Sequence, residues 1–148
     1  MRKKRSCWSA CPPWLRDVVS VGLDTGLRRS NLVRLQWAWV HEAGTVLVVP
    51  RTQVKAKRRA VVIPLTRRAV AILAQQRRHS DESHVFTQPD GTPYQPDRVG
   101  MAVIRAARRA GLANVSLHVL RHTFISRLVQ AGRPLPEVAA LAGIGTLR

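Results

Sequence analysis

Two short motifs supply the residue types that grip a phosphate. The first is Thr25-Gly26-Leu27-Arg28, continued by Arg29-Ser30; the second, far downstream, is Leu117-His118-Val119-Leu120-Arg121-His122-Thr123-Phe124. Breaking a phosphodiester without a metal needs cations on the non-bridging oxygens, a proton donor for the leaving 5′-oxygen and an attacking group held in line. Arginine suits the first task, because its planar fork binds phosphate oxygens bidentately and stays charged at any working pH. Arg28 and Arg121 are the candidates for that clamp. His118 stands three residues before Arg121, so the two share one face of a helix. Its imidazole titrates close to neutral pH and can donate to the same phosphate or assist a proton transfer. His122 reads as a structural hydrogen-bonding partner. No metal or organic cofactor is expected.

The elements that must position these groups can be read from spacing. After Pro12-Pro13, Leu15, Val18, Val19, Gly22 and Leu23 recur at helical intervals and predict a helix from about Trp14 to Asp24. Gly26 then permits a sharp turn, and Ser30 is a suitable cap for a second short helix through Leu32 and Leu35. That places Arg28 just ahead of a helix N-terminus, an end that attracts phosphate. Thr45 to Val49 and Ala60 to Ile63 are β-branched runs that predict an antiparallel pair, joined by the basic stretch that holds Lys55, Lys57, Arg58 and Arg59. Further helices are expected from about Thr66 to Arg77, from Pro96 onward, through the second motif, and after Pro134. A short strand is expected at His84 to Thr87 and a turn at Pro89-Asp90-Gly91. On the helix from Pro96, Val99, Val103, Ala106 and Ala110 should face the core, leaving Arg98, Arg105 and Arg109 as an outer stripe that could track a DNA backbone. The fold class is therefore mainly α with a small antiparallel sheet.

Composition agrees with a nucleic-acid partner. Among 148 residues, 25 Lys and Arg face 8 Asp and Glu, a formal charge of +17. Most of the basic residues interrupt good helix and strand patterns, so the charge belongs to a folded surface and points to double-stranded DNA. An apolar share of 45% is enough for one domain with its own core. Residues 1–13 read as a basic leader without order of their own, and 14–148 as the domain. Cys7 and Cys11 have no second pair and no nearby histidine, so neither a zinc site nor a disulfide framework is indicated. Ser6, Ser9, Pro12 and Pro13 break any apolar run after the basic start, which argues against a signal peptide, and no stretch has membrane-spanning length. A cytoplasmic, nucleoid-associated protein without membrane contact is expected.

The block Thr25-Gly26-Leu27-Arg28-Arg29-Ser30 with the downstream His-x-x-Arg-His resembles the tyrosine recombinases, the phage-integrase family, from about Trp14 to the last residue. The resemblance implies that family's DNA breaking-rejoining catalytic fold and site-specific recombination through a 3′-phosphotyrosyl intermediate, without a cofactor. It implies Arg28, His118 and Arg121 as catalytic residues and a lysine on the hairpin as general acid. Lys55 is the first choice for that lysine and Lys57 competes, since the loop does not fix the register. Leu141-Ala142-Gly143-Ile144 matches the family's Leu-x-Gly step with isoleucine where a histidine or tryptophan stands, so Ile144 is a degenerate position. The family's nucleophilic tyrosine would lie past Arg148, and the one tyrosine present, Tyr94, sits in a polar turn. Asn31 replaces a glutamate common in the family. These departures imply a truncated domain that binds DNA, and other recombinase protomers with it, and does not cleave by itself; the alternative is a catalytically dead DNA-binding or regulatory remnant.

Overall fold

A computed structural model describes residues 11–55, 59–78 and 83–144. The described residues form six α-helices and a small sheet. Pro13 opens α1 (Pro13–Thr25), where its missing N–H costs nothing and its fixed φ suits the first turn. Leu15, Val18 and Val21 are buried along it, and Cys11 already packs in the core, so packing begins three residues ahead of Trp14. Gly22 lies where α1 meets two partners: a Cβ there would stand 2.8 Å from Leu32 and 3.2 Å from Leu120.

The chain leaves α1 through Gly26, which has φ 65° and donates to the Gly22 carbonyl at 3.0 Å. A Cβ at Gly26 would fall 2.1 Å from the Phe124 ring, so both backbone conformation and space demand glycine. Thr25 is fully buried; its hydroxyl donates to Val21 O at 2.6 Å and accepts from the Leu27 N–H at 3.4 Å, which closes the turn from inside. Helix α2 (Arg29–Val33) follows at once. Arg28 itself, extended at φ −62° and ψ 148°, holds the cap position, not Ser30, which falls inside the helix.

Strands β1 (Val40–His41), β2 (Val46–Val49) and β3 (Val61–Pro64) form an antiparallel sheet in the order β1-β2-β3, with Leu47 opposite Ile63 and Val49 opposite Val61. Those four side chains point into the core while Val62 faces out, the period-two alternation of a half-buried sheet. The expected pair is present. β1 is an addition, too short to carry a pattern of its own. The strand expected at His84 to Thr87 is reduced to two isolated bridges, His84 to Gln36 and Thr87 to Pro93. The segment lies beside the irregular stretch around Trp37–Trp39, which offers it no extended partner.

Helix α3 (Arg67–Arg77) is capped by Thr66, whose hydroxyl accepts from the Ala69 N–H. The same hydroxyl donates to Asp24 at 2.7 Å, and Arg68 donates to both Asp24 oxygens at 2.9 and 2.6 Å, tying the end of α1 to the start of α3. Burial works to raise the Asp24 carboxyl, but the bonds from Arg68 and Thr66, with the charges of Arg68 and Arg127, hold it below its ordinary value. Helix α4 (Pro96–Arg109) buries Val99, Val103, Ala106 and Ala107. Helix α5 (Leu117–Gln130), capped by Ser116, buries Leu117, Leu120 and Phe124 against α1, and α6 (Leu135–Ala142) closes at Gly143 with φ 64°.

Candidate functional site

The turn between α1 and α2 presents Arg28 toward α5, and α5 answers with Arg121. Only 8% of Arg121 is exposed. One guanidinium nitrogen donates to Gly26 O at 2.7 Å and the other to Ala142 O at 2.5 Å, so this side chain joins the first motif, α5 and the end of α6. Arginine carries five N–H donors, and two of them serve this scaffold. Burial first, and the neighbouring Arg28 charge second, push the Arg121 pKa down to about 10, which leaves it cationic at neutral pH. Among the described residues neither arginine has a carboxylate partner; the ion pairs are Arg29 with Asp97, Arg68 with Asp24 and Arg133 with Glu137. Two adjacent guanidinium groups, one desolvated and neither neutralised, make a site whose charge is satisfied by an anion.

They form the floor of an open cleft of about 620 Å³. His118 stands on one wall, and Asp97, Gly100, Met101 and Ile104 of α4 form the other. His118 is exposed, and its Nε2 lies 2.8 Å from Nε2 of His122, the rings edge-on at 4.3 Å and 87°. A single proton between these nitrogens makes the bond, so one ring is neutral whenever it forms. His122 therefore orients His118. Past Ile104 and Ser116 the cleft runs into a second groove bordered by Arg108 and Asn114.

Of the expected catalytic set, Arg28, His118 and Arg121 line one cleft and Lys55 does not. Lys55 is exposed at the end of the loop after β2. Its neighbour Val54 is buried, beside a cavity of about 20 Å³, room for one water, that Asn31, Arg28 and Arg121 also line. Lys57 and Arg58 lie outside the described residues; Arg59 is exposed just before β3. Arg98, Arg105 and Arg109 are exposed as expected but do not border the cleft. At about 100° per residue they sit roughly a quarter turn around α4 from its cleft-lining face. Ile144 follows Gly143 with its N–H on Ala139 O at 2.9 Å, and its side chain is 36% exposed and apolar.

Asn31 does something the sequence did not announce. It is buried, and its amide donates to Gln53 O at 2.9 Å, fixing the loop two residues before Lys55. A glutamate carboxylate could not donate that bond. Tyr94 is stacked on Trp14 at 4.5 Å and 11°, and burial raises its phenol above the ordinary value. Trp14 begins α1 and Arg28 follows its end, which separates the two along the axis by roughly 17 Å. Among the described residues no group of three or more His, Cys, Asp or Glu is placed to hold a metal.

The family model for the phage integrase family matches residues 4–144. The chain belongs to that family. It is 34% identical to the integrase of Salmonella phage P22 over 143 residues, which are 90% of this chain and 37% of that protein. The tyrosine recombinase XerC of Xanthomonas axonopodis pv. citri (strain 306) is 32% identical over 139 residues, 89% of this chain and 44% of that protein. The chain thus spans less than half the length of these relatives. Among solved structures, XerA recombinase superposes with a TM-score of 0.76 at 19% identity, over 90% of this chain and 48% of that one. A lambda integrase tetramer bound to a Holliday junction gives 0.73 at 20% identity, over 95% of this chain and 44% of that one. At those identities the likeness is one of fold, and the fold is that of a tyrosine-recombinase catalytic domain. Among the described residues no helix is long and apolar enough to cross a membrane.

Proposed function

We propose that this integrase-family domain takes part in site-specific DNA recombination by gripping one phosphate of duplex DNA between Arg28 and Arg121, with His118 donating to the same group. The observation that carries this reading is the meeting of two guanidinium groups without a carboxylate, on the floor of an open cleft in a chain of charge +17. Lys55 is assigned as the general acid, and Lys57 is its competitor. Arg59, Arg98, Arg105 and Arg109, with Lys57 and Arg58, are assigned to backbone contacts outside the cleft. The domain includes the core from Cys11 onward, works with other recombinase protomers on DNA, and resides with the nucleoid in the cytoplasm.

As a 148-residue polypeptide the chain is read as binding DNA without cutting it. Tyr94 is held against Trp14 with a raised pKa, and Ile144 offers no hydrogen bond where the family places a polar ring. The test is a titration of duplex DNA across salt concentrations, followed by incubation with a nicked duplex that traps covalent adducts. Binding that weakens steeply with salt, with a slope reduced by about one in Arg28→Ala, supports the reading. A slope unmoved by Arg28→Ala counts against the clamp, and an adduct surviving denaturant overturns the absence of cleavage.

A further inference from the structure

The cleft contains one charge of the wrong sign for a phosphate site. Asp97, in the first turn of α4, is the only carboxylate among the residues that line it, and its side chain is 87% exposed. It pairs with Arg29 of α2 at 3.1 Å, and Arg29 is itself 54% exposed. The fold has little need of such a contact, since an exposed pair contributes about 0–1 kcal/mol. A polyanion is repelled by the acid. An exposed acid beside the two clamp arginines can discriminate between ligands that share the same phosphates.

Sequence is read at base edges, and the pair has the stereochemistry for one. Across a cytosine–guanine pair the N4 donor and the O6 acceptor lie about 2.9 Å apart, hydrogen-bonded to each other. Arg29 Nη1 and Asp97 Oδ1 present the complementary donor and acceptor at 3.1 Å. Cytosine N4–H donates to Asp97 while Arg29 donates to guanine O6, and the other arginine nitrogen reaches guanine N7. At an adenine–thymine pair the acid still meets a donor, adenine N6, but the arginine finds one acceptor, thymine O4, and the thymine methyl beside it. The wall has room for a base-pair edge. Gly100, three residues on, lines the same cleft, and a Cβ there would meet nothing within 4 Å.

We propose that Arg29 and Asp97 read one guanine–cytosine base pair in the major groove next to the gripped phosphate. The proposal rests on the duplex-DNA reading above. To test it, duplexes bound from a pool randomised around the contacted region are sequenced for the wild-type chain and for Arg29→Ala, and the affinities of matched guanine–cytosine and adenine–thymine duplexes are compared. The expected result is a preference of about tenfold for guanine–cytosine at one position with the wild-type chain. In Arg29→Ala that preference falls to near parity, because the acid meets an amino donor at either pair and only the arginine distinguishes guanine O6 and N7 from thymine O4. Retention of the full preference in Arg29→Ala overturns the proposal. So does duplex binding by the wild-type chain with no guanine–cytosine preference, which leaves the DNA reading standing. Failure of both folded chains to bind any duplex overturns both readings together.

Discussion

Arg121 has two duties, and the substitution Arg121→Lys separates them. The guanidinium fork holds Gly26 O and Ala142 O at 2.7 and 2.5 Å from two different nitrogens. An ammonium keeps the charge but is a point donor, and from one place it satisfies one of those carbonyls. Each buried bond from a charged donor contributes about 1.5–3 kcal/mol. With one of them lost, the expected destabilisation is about 2–3 kcal/mol, or roughly 6–12 °C in Tm for a domain of this size. Arg28→Ala is the control, since Arg28 makes no scaffold bond of this kind and its charge opposes that of Arg121. Its removal leaves the midpoint unchanged or slightly raised while DNA affinity falls. Urea unfolding of the three chains, with DNA titration of each, reads both effects. An Arg121→Lys midpoint equal to wild type would refute the carbonyl bridge, and a large stability loss in Arg28→Ala would refute the assignment of that arginine to ligand alone.

Three further outcomes follow from the geometry. Gly26→Ala places a methyl 2.1 Å from the Phe124 ring at φ 65°, and it should destabilise the domain by about 2–5 kcal/mol in denaturant unfolding. Gly100→Ala has free space at its Cβ and should stabilise α4 by about 0.5–1 kcal/mol while weakening duplex binding, because the new methyl stands in the cleft wall. Asp24 titrates near 3.9 in the unfolded chain and lower in the folded one, so its stabilisation is fully present above that pH and is lost as pH falls through the folded value. Asp24→Asn should therefore flatten the stability profile below about pH 4 and cost under about 1 kcal/mol at neutral pH, since Arg68 is half exposed.

The parts of the fold that were legible in sequence are those that local chemistry dictates. Pro13 and Thr66 stand at helix ends for reasons contained in their own backbone and hydroxyl. The β2–β3 pair follows from alternating β-branched residues. Ser30 has the right side chain for a cap, but the Gly26 turn ends early enough for the helix to start at Arg29, and a tertiary constraint overrode a local preference. The site was legible as residue types and not as directions. Arg28, His118 and Arg121 meet as their motifs suggest. The α4 arginines, chosen for their charge, face away from the cleft because the rotation of that helix is set by Val99 and Val103 in the core. The wall turned out to carry Asp97 and Gly100, which no charge count selects. Asn31 was read only as a replacement for the family's glutamate, whereas its donor amide serves the Gln53 carbonyl, a contact across 22 residues that no local window contains.

The Arg121 bridge also sets when the clamp comes into being. Its two carbonyl partners are 95 residues upstream and 21 residues downstream in the chain. As synthesis proceeds from the N-terminus, Arg28 and its turn are made first and wait through four helices and the sheet. Until α6 supplies the Ala142 carbonyl, the Arg121 guanidinium has only the Gly26 carbonyl to hold it, and a chain still on the ribosome carries its basic surface with the bridge half made. On the duplex-DNA reading proposed above, capture through this cleft is reserved for the folded domain, and a nascent chain of the same charge would meet nucleic acid only through loose, salt-sensitive contacts.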